Sequence, residues 1–216
     1  MEQATFKSPS ALHAVLTRFD FVEALNEVVE YTFKKNKEAA FIVYGGKNYY
    51  MVSEVTKSKN NARTLIPINL NTVRERGLAM IVHSHPMRTN EWVKHNLPAK
   101  ERTVPSAQDI KTAENLEMDY PGVVHMIVTP SDEWDKDTGL NIFIYRRKNT
   151  NQPNLHHQYM AEGGEKNFTK SMLMQVLANS GFGYCETTSN KNGHYELDLS
   201  AKLINLFDDT SPATPA

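Results

Sequence analysis

Gly77-Leu78-Ala79-Met80-Ile81-Val82-His83-Ser84-His85-Pro86 is an apolar run that turns polar at two histidines. A short apolar run bounded in this way is the pattern of a buried strand. Side chains at i and i+2 of a strand share a face, so His83 and His85 converge at its end while Ser84 faces the other way. Two imidazoles and one carboxylate make a typical catalytic zinc set, because a fourth tetrahedral position stays open. The carboxylate expected to complete it is Asp109, from Pro105-Ser106-Ala107-Gln108-Asp109. Ser106-x-x-Asp109 before an apolar-periodic run is also a helix capping box in the broad sense. The two readings are compatible, since a capped first turn holds Asp109 rigidly near the strand end.

Upstream of the histidines, residues 38–46 read as a strand running into a glycine turn, with residues 47–55 as its hairpin partner. Residues 57–63 form a polar loop. Residues 64–70 suggest a third strand, placed at an edge by Pro67, and residues 71–77 a turn or short helix. Nearer the N-terminus, Leu12, Val15, Leu16 and Phe19 mark a short amphipathic helix. Asp20 is the expected cap of a second, from Phe21 to Lys35, with Val22, Leu25, Val28, Val29 and Phe33 at helical spacing.

Downstream, 20 residues without a clear period separate His85 from Ser106. Structureless connections of that length inside a compact domain are usually functional or mobile. Residues 106–118 read as a helix, and residues 123–129 and 140–145 as strands joined by an acidic turn. The composition turns polar at 146–153, which sets an expected boundary between a domain over 1–148 and an extension over 149–216. The extension reads as a helix at 167–179 stopped by Gly181, a small hairpin pairing 184–188 with 194–197, a short helix at 200–207 and a disordered tail. The whole is an α/β (α+β) chain: a mixed β-sheet flanked by helices.

Composition narrows the function. At 216 residues the chain builds one sizeable core, with or without an appendage. A formal net charge of −1 offers no basic field for nucleic acid. The single cysteine, Cys185, excludes both an intrachain disulfide framework and a cysteine-based zinc cluster, and reads as a buried, inert thiol. No apolar stretch approaches the ~18–20 residues a membrane span needs, and the N-terminus lacks a signal peptide's regions, so the expected location is cytoplasmic. His125, inside a strand run, reads as a hydrogen-bonded core residue. His95, in the long connection, is placed where it can approach a metal or substrate, and His156-His157 reads as surface.

Glu38 followed seven residues on by Gly45, then His83-Ser84-His85-Pro86, then Ser106 and Asp109, resembles the JAMM (MPN-plus, or JAB) metalloprotease motif, across about residues 36–146. The resemblance implies a cytidine-deaminase-like JAB/MPN architecture. It implies Zn2+ bound by His83, His85 and Asp109, with Glu38 as general base and Ser106 as the donor to the oxyanion. Glu54, on the expected partner strand, is the other carboxylate weighed as base. Family members remove ubiquitin or ubiquitin-like modifiers from lysine side chains. The implied partner is therefore a protein or peptide substrate, ubiquitin-like ones included, and the compact insertion and short chain make a prokaryotic- or phage-type member the expectation. The connection between the second histidine and the serine is longer here than the family's, and residues 87–105 are expected to project beside the metal. A rival expectation is a metal-free interaction module on the same fold. A deaminase is disfavoured, because its Pro-Cys-x-x-Cys ligand pair cannot be built from one cysteine.

Overall fold

The computed structural model describes residues 5–45, 49–59, 68–85, 103–130, 139–148, 170–179, 181–190, 192–195 and 199–207. Among them six helices flank a mixed, open sheet of seven strands. Helices α1 (Pro9–Leu16) and α2 (Phe19–Lys35) precede β1 (Ala39–Tyr44), β2 (Met51–Val52) and β3 (Thr56–Lys57). Then come α3 (Leu70–Arg76), β4 (Leu78–Ser84), α4 (Ala107–Asp119), β5 (Val124–Pro130) and β6 (Leu140–Arg147). The chain closes with α5 (Lys170–Asn179), β7 (Phe182–Ser189), α6 (Leu199–Leu203) and a 3-10 turn at Ile204–Leu206.

The sheet order is β2-β1-β4-β5-β6-β7, with β3 also on β1. β4 is antiparallel to β1 and parallel to β5, and every other pairing is antiparallel. A parallel pair needs a crossover, and α4 lies in the connection between β4 and β5. The N-terminal end of α4 is thereby returned to the C-terminal end of β4.

Alternation along the strands divides the core in two. Phe41, Val43, Met80, Val82, Val124 and Met126 pack under α1 and α2. Ile42, Ile81, Ile127 and Phe143 face the opposite side, with α3, α4 and α5. β1, β4 and β5 are buried on both faces, which is why they read as continuous apolar runs rather than alternating ones.

Two details of the N-terminal helices differ from expectation. Phe19 opens α2 instead of closing α1 and is 77% exposed. The N-cap is Arg18, while Asp20 sits in the first turn and accepts the Phe21 N–H at 3.0 Å. The buried stripe is Phe21, Ala24, Leu25, Val28, Val29 and Thr32. At 3.6 residues per turn Phe33 lies about 120° around from Phe21, off that stripe, and it is exposed. Within the expected partner strand over 47–55 only β2 forms among the described residues, β3 follows beyond its end, and Leu70 begins a helix. The rest of the expected third strand lies outside the described residues apart from Ile68 and Asn69, which carry no strand.

Residues beyond 148 complete the same sheet and core. β7 pairs with β6 from Arg147↔Phe182 to Leu140↔Ser189. The expected small hairpin is reduced, among the described residues, to one bridge between Ser189 and Tyr195. Gly181, at φ 72°, stops α5 as expected. Leu199, Leu203 and Leu206 join Leu12, Val15 and Leu16 under the sheet, and the Tyr195 hydroxyl donates to the Leu16 carbonyl at 3.0 Å. No helix among the described residues is long and apolar enough to cross a membrane.

Candidate metal centre

His83 and His85 lie at the end of β4 on the face turned toward α4, two places apart as a strand requires. Asp109 reaches them from the first turn of α4. Ser106 caps that helix in a full capping box: its hydroxyl accepts the Asp109 N–H at 3.2 Å, and the Asp109 carboxylate accepts the Ser106 N–H at 2.8 Å. The Ser106 hydroxyl also donates to the carboxylate, to Oδ2 at 2.7 Å. Just before the cap, Thr103 and Thr129 of β5 share a buried hydroxyl contact, which ties the returning chain to the strand beside β4.

The three side chains bring their ligand atoms to one point. His83 Nε2 is 3.2 Å from His85 Nε2, and His83 Nε2 is 3.2 Å from Asp109 Oδ1. His85 Nε2 is 3.1 Å from Asp109 Oδ2. A tetrahedral ion bound at about 2.0–2.1 Å requires ligand-to-ligand edges of about 3.3–3.4 Å, close to this triangle. Two imidazole nitrogens and a carboxylate facing one another need either a cation or the imidazoles' own N–H protons between them. The group can therefore hold a metal ion. Its donor set suits zinc as well as other divalent ions of similar preference.

Electrostatics agree with the geometry. Burial pushes the Asp109 carboxyl up, but the charge on His83 and hydrogen bonds from both histidines outweigh it and hold Asp109 well below the usual carboxylate range. The histidines are buried, while the Asp109 side chain keeps 20% exposure.

The two candidate bases separate by strand register. β1 and β4 pair with Phe41↔Val82 and Ala40↔His83 as successive rungs. The ladder's last rung is Ala40↔His83, and two more steps of the same register would set Glu38 against His85. Opposed residues of antiparallel strands share a face, so a register continued in this way would bring half-buried Glu38 to the histidine face. Glu54 is exposed and lines a cleft with Asp20, Glu23 and Glu27 of α2, on the other side of the sheet.

His125 is in the core of β5, as expected, stacked on Tyr145 with ring centroids 5.0 Å apart. The expected hydrogen bond is missing at one nitrogen: Nε2 has no partner among the described residues, and neither has the Tyr145 hydroxyl. Burial, reinforced by His83, lowers the His125 pKa to about 3, so it is neutral. The Cys185 thiol is buried and pushed up to about 12, an inert group as expected. Pro86, His95 and His156-His157 lie outside the described residues, as does residues 87–102 of the long connection.

Sequence reasoning missed Thr32, Thr103 and Thr129. Each is a buried hydroxyl whose partner is distant in sequence, so no local pattern marks it. No family model matches the chain, and no curated protein matches it.

Proposed function

We propose that this chain is a zinc-dependent hydrolase of peptide or isopeptide bonds, of the JAMM type that its motif resembles. The observation that carries the reading is the His83–His85–Asp109 triangle, whose 3.1–3.2 Å edges suit a tetrahedral ion with one position open. A divalent cation there would supply a nucleophile at neutral pH and polarise a carbonyl.

The chain's own residues do the proton work. Glu38, which the continued register would bring beside the cluster as a non-ligand, takes one proton from the attacking water and returns it to the nitrogen of the breaking C–N bond. One water is consumed, and the products are a carboxylate and an amine. Ser106, next to the cluster through Asp109, donates to the carbonyl oxygen as negative charge develops there. Its hydroxyl otherwise donates to Asp109 Oδ2, so it turns to reach the carbonyl, while the Ser106 N–H keeps that carboxylate oriented. The substrate class that follows is a protein or peptide, including a lysine-linked modifier.

Metal content measured on purified protein tests the reading. Near one zinc per chain is expected in the wild type and a loss in both Asp109→Ala and His83→Ala. Isopeptide and peptide substrates can then be screened, with Glu38→Gln as a metal-loaded, inactive control. Wild-type protein that takes up no zinc after addition and dialysis would sink the proposal. The triangle would then be closed by a shared proton, and the chain would be a binding module.

A further inference from the structure

Ser84 stands between the two histidines yet faces the opposite side of the sheet, where its hydroxyl joins three elements. It accepts the Ala39 N–H at 3.0 Å and donates to the Ala39 carbonyl at 3.3 Å. Its third partner is the Thr32 hydroxyl, from the buried face of α2. A serine hydroxyl has one proton and two lone pairs. Donation to Ala39, acceptance from Ala39 and acceptance from Thr32 use all three. Both Ser84 and Thr32 are 0% exposed, so water does not compete for these bonds.

The junction lies where the β1–β4 ladder ends. The rungs run to Ala40↔His83, and the next position, Ala39 against Ser84, is bridged by the Ser84 side chain. On the other edge of β4 main-chain pairing continues, with the His85 N–H bonded to the Val128 carbonyl at 3.2 Å. β4 is thus bonded to β5 by its backbone and to β1 by a side-chain hydroxyl, at the residue next to Glu38.

We propose that the Ser84 hydroxyl, anchored by Thr32, is the positioning group that sets the spacing between Glu38 and the His83–His85–Asp109 cluster. The inference rests on Glu38 being the base of the reaction above. Directly opposed residues in a closed antiparallel ladder have Cβ atoms about 4.5–5.5 Å apart. At that separation the Glu38 carboxylate could take the open ligand position and shut the site. A base has to stand near the cluster without joining it, and the hydroxyl bridge holds the two strands at that distance.

The test uses the full chain loaded with Co(II), whose visible spectrum reports the number and arrangement of ligands. Ser84→Ala and Thr32→Val remove the hydroxyls, whereas Ser84→Thr and Thr32→Ser keep them. Both hydroxyl-free variants are expected to bind metal but with an altered Co(II) spectrum, and the hydroxyl-retaining pair to restore the wild-type one. In Ser84→Ala the Ala39 amide should exchange on the order of tenfold faster, as loss of one hydrogen bond implies. Should Ser84→Ala not fold, Thr32→Val, which preserves side-chain shape, decides. Wild-type spectra in the hydroxyl-free variants would overturn the positioning role and leave the hydrolase reading standing. A wild type that binds no metal would overturn both.

Discussion

One hydroxyl on Ser106 serves both helix and site. As a cap, Ser106 accepts the Asp109 N–H, and as a support it donates to Oδ2. Ser106→Ala removes both bonds but leaves the main-chain N–H on the carboxylate. Loss of the cap should cost about 1 kcal/mol in urea unfolding of the metal-free protein. Loss of the support should weaken zinc affinity by about 10–100-fold, read by chelator competition. Unchanged affinity beside reduced stability would make Ser106 a cap alone. At this scale the sequence is a good guide where chemistry is local. Strand alternation brings His83 and His85 together, and the capping box explains why Asp109 is rigid. It gives no sign that Thr32 reaches Ser84, because a threonine on a helix stripe looks the same whether or not a partner waits across the core.

Strands β6 and β7 show where local pattern stops informing. Residues 182–189 alternate as a strand should, but period two says nothing about which of several edges a strand will join. The choice follows from packing with the closing 3-10 turn. At Gly183 an added Cβ would stand 2.2 Å from the Asn205 carbonyl oxygen and 2.9 Å from Leu206 Cα, and backbone atoms do not yield as a flexible side-chain tip does. Gly183→Ala should therefore destabilise the chain by about 1–3 kcal/mol or more, seen as a lower thermal midpoint. A midpoint equal to wild type would show that the turn moves away from β7 without cost. The two N-terminal helices were legible as helices, and their buried stripe nearly so. Phe19 and Phe33 were misplaced because an aromatic at the margin of a stripe satisfies helical spacing without being covered.

Acid stability is a property of the whole molecule, and two buried groups pull it in opposite directions. His125 titrates near 3 folded and near 6.5 unfolded, so between those values the unfolded chain binds the extra proton. Its contribution is complete above pH 6.5 and is lost as pH falls toward 3. Burial raises Glu117 to about 7, against the pull of the Gly122 N–H, Arg146 and Arg147, so its effect has the other sign. From its ordinary value of 4.5 up to 7, rising pH favours the unfolded state. Comparing wild type with His125→Gln cancels Glu117. The stability difference should be flat above pH 6.5 and shift against the wild type by about 1.4 kcal/mol per pH unit below it. A difference independent of pH would mean that the folded protein accommodates the His125 charge.

The bond between Tyr195 and Leu16 spans 179 positions and joins the first helix to the last stretch of chain. A ribosome adding about 5–20 residues per second delivers those two partners roughly 10–35 s apart. For that interval α1 waits for Leu199, Leu203 and Leu206, which share its core. The nascent chain thus carries an uncovered apolar helix while the residues between the two partners are made, and it is there, rather than in the finished molecule, that a chaperone would find something to hold.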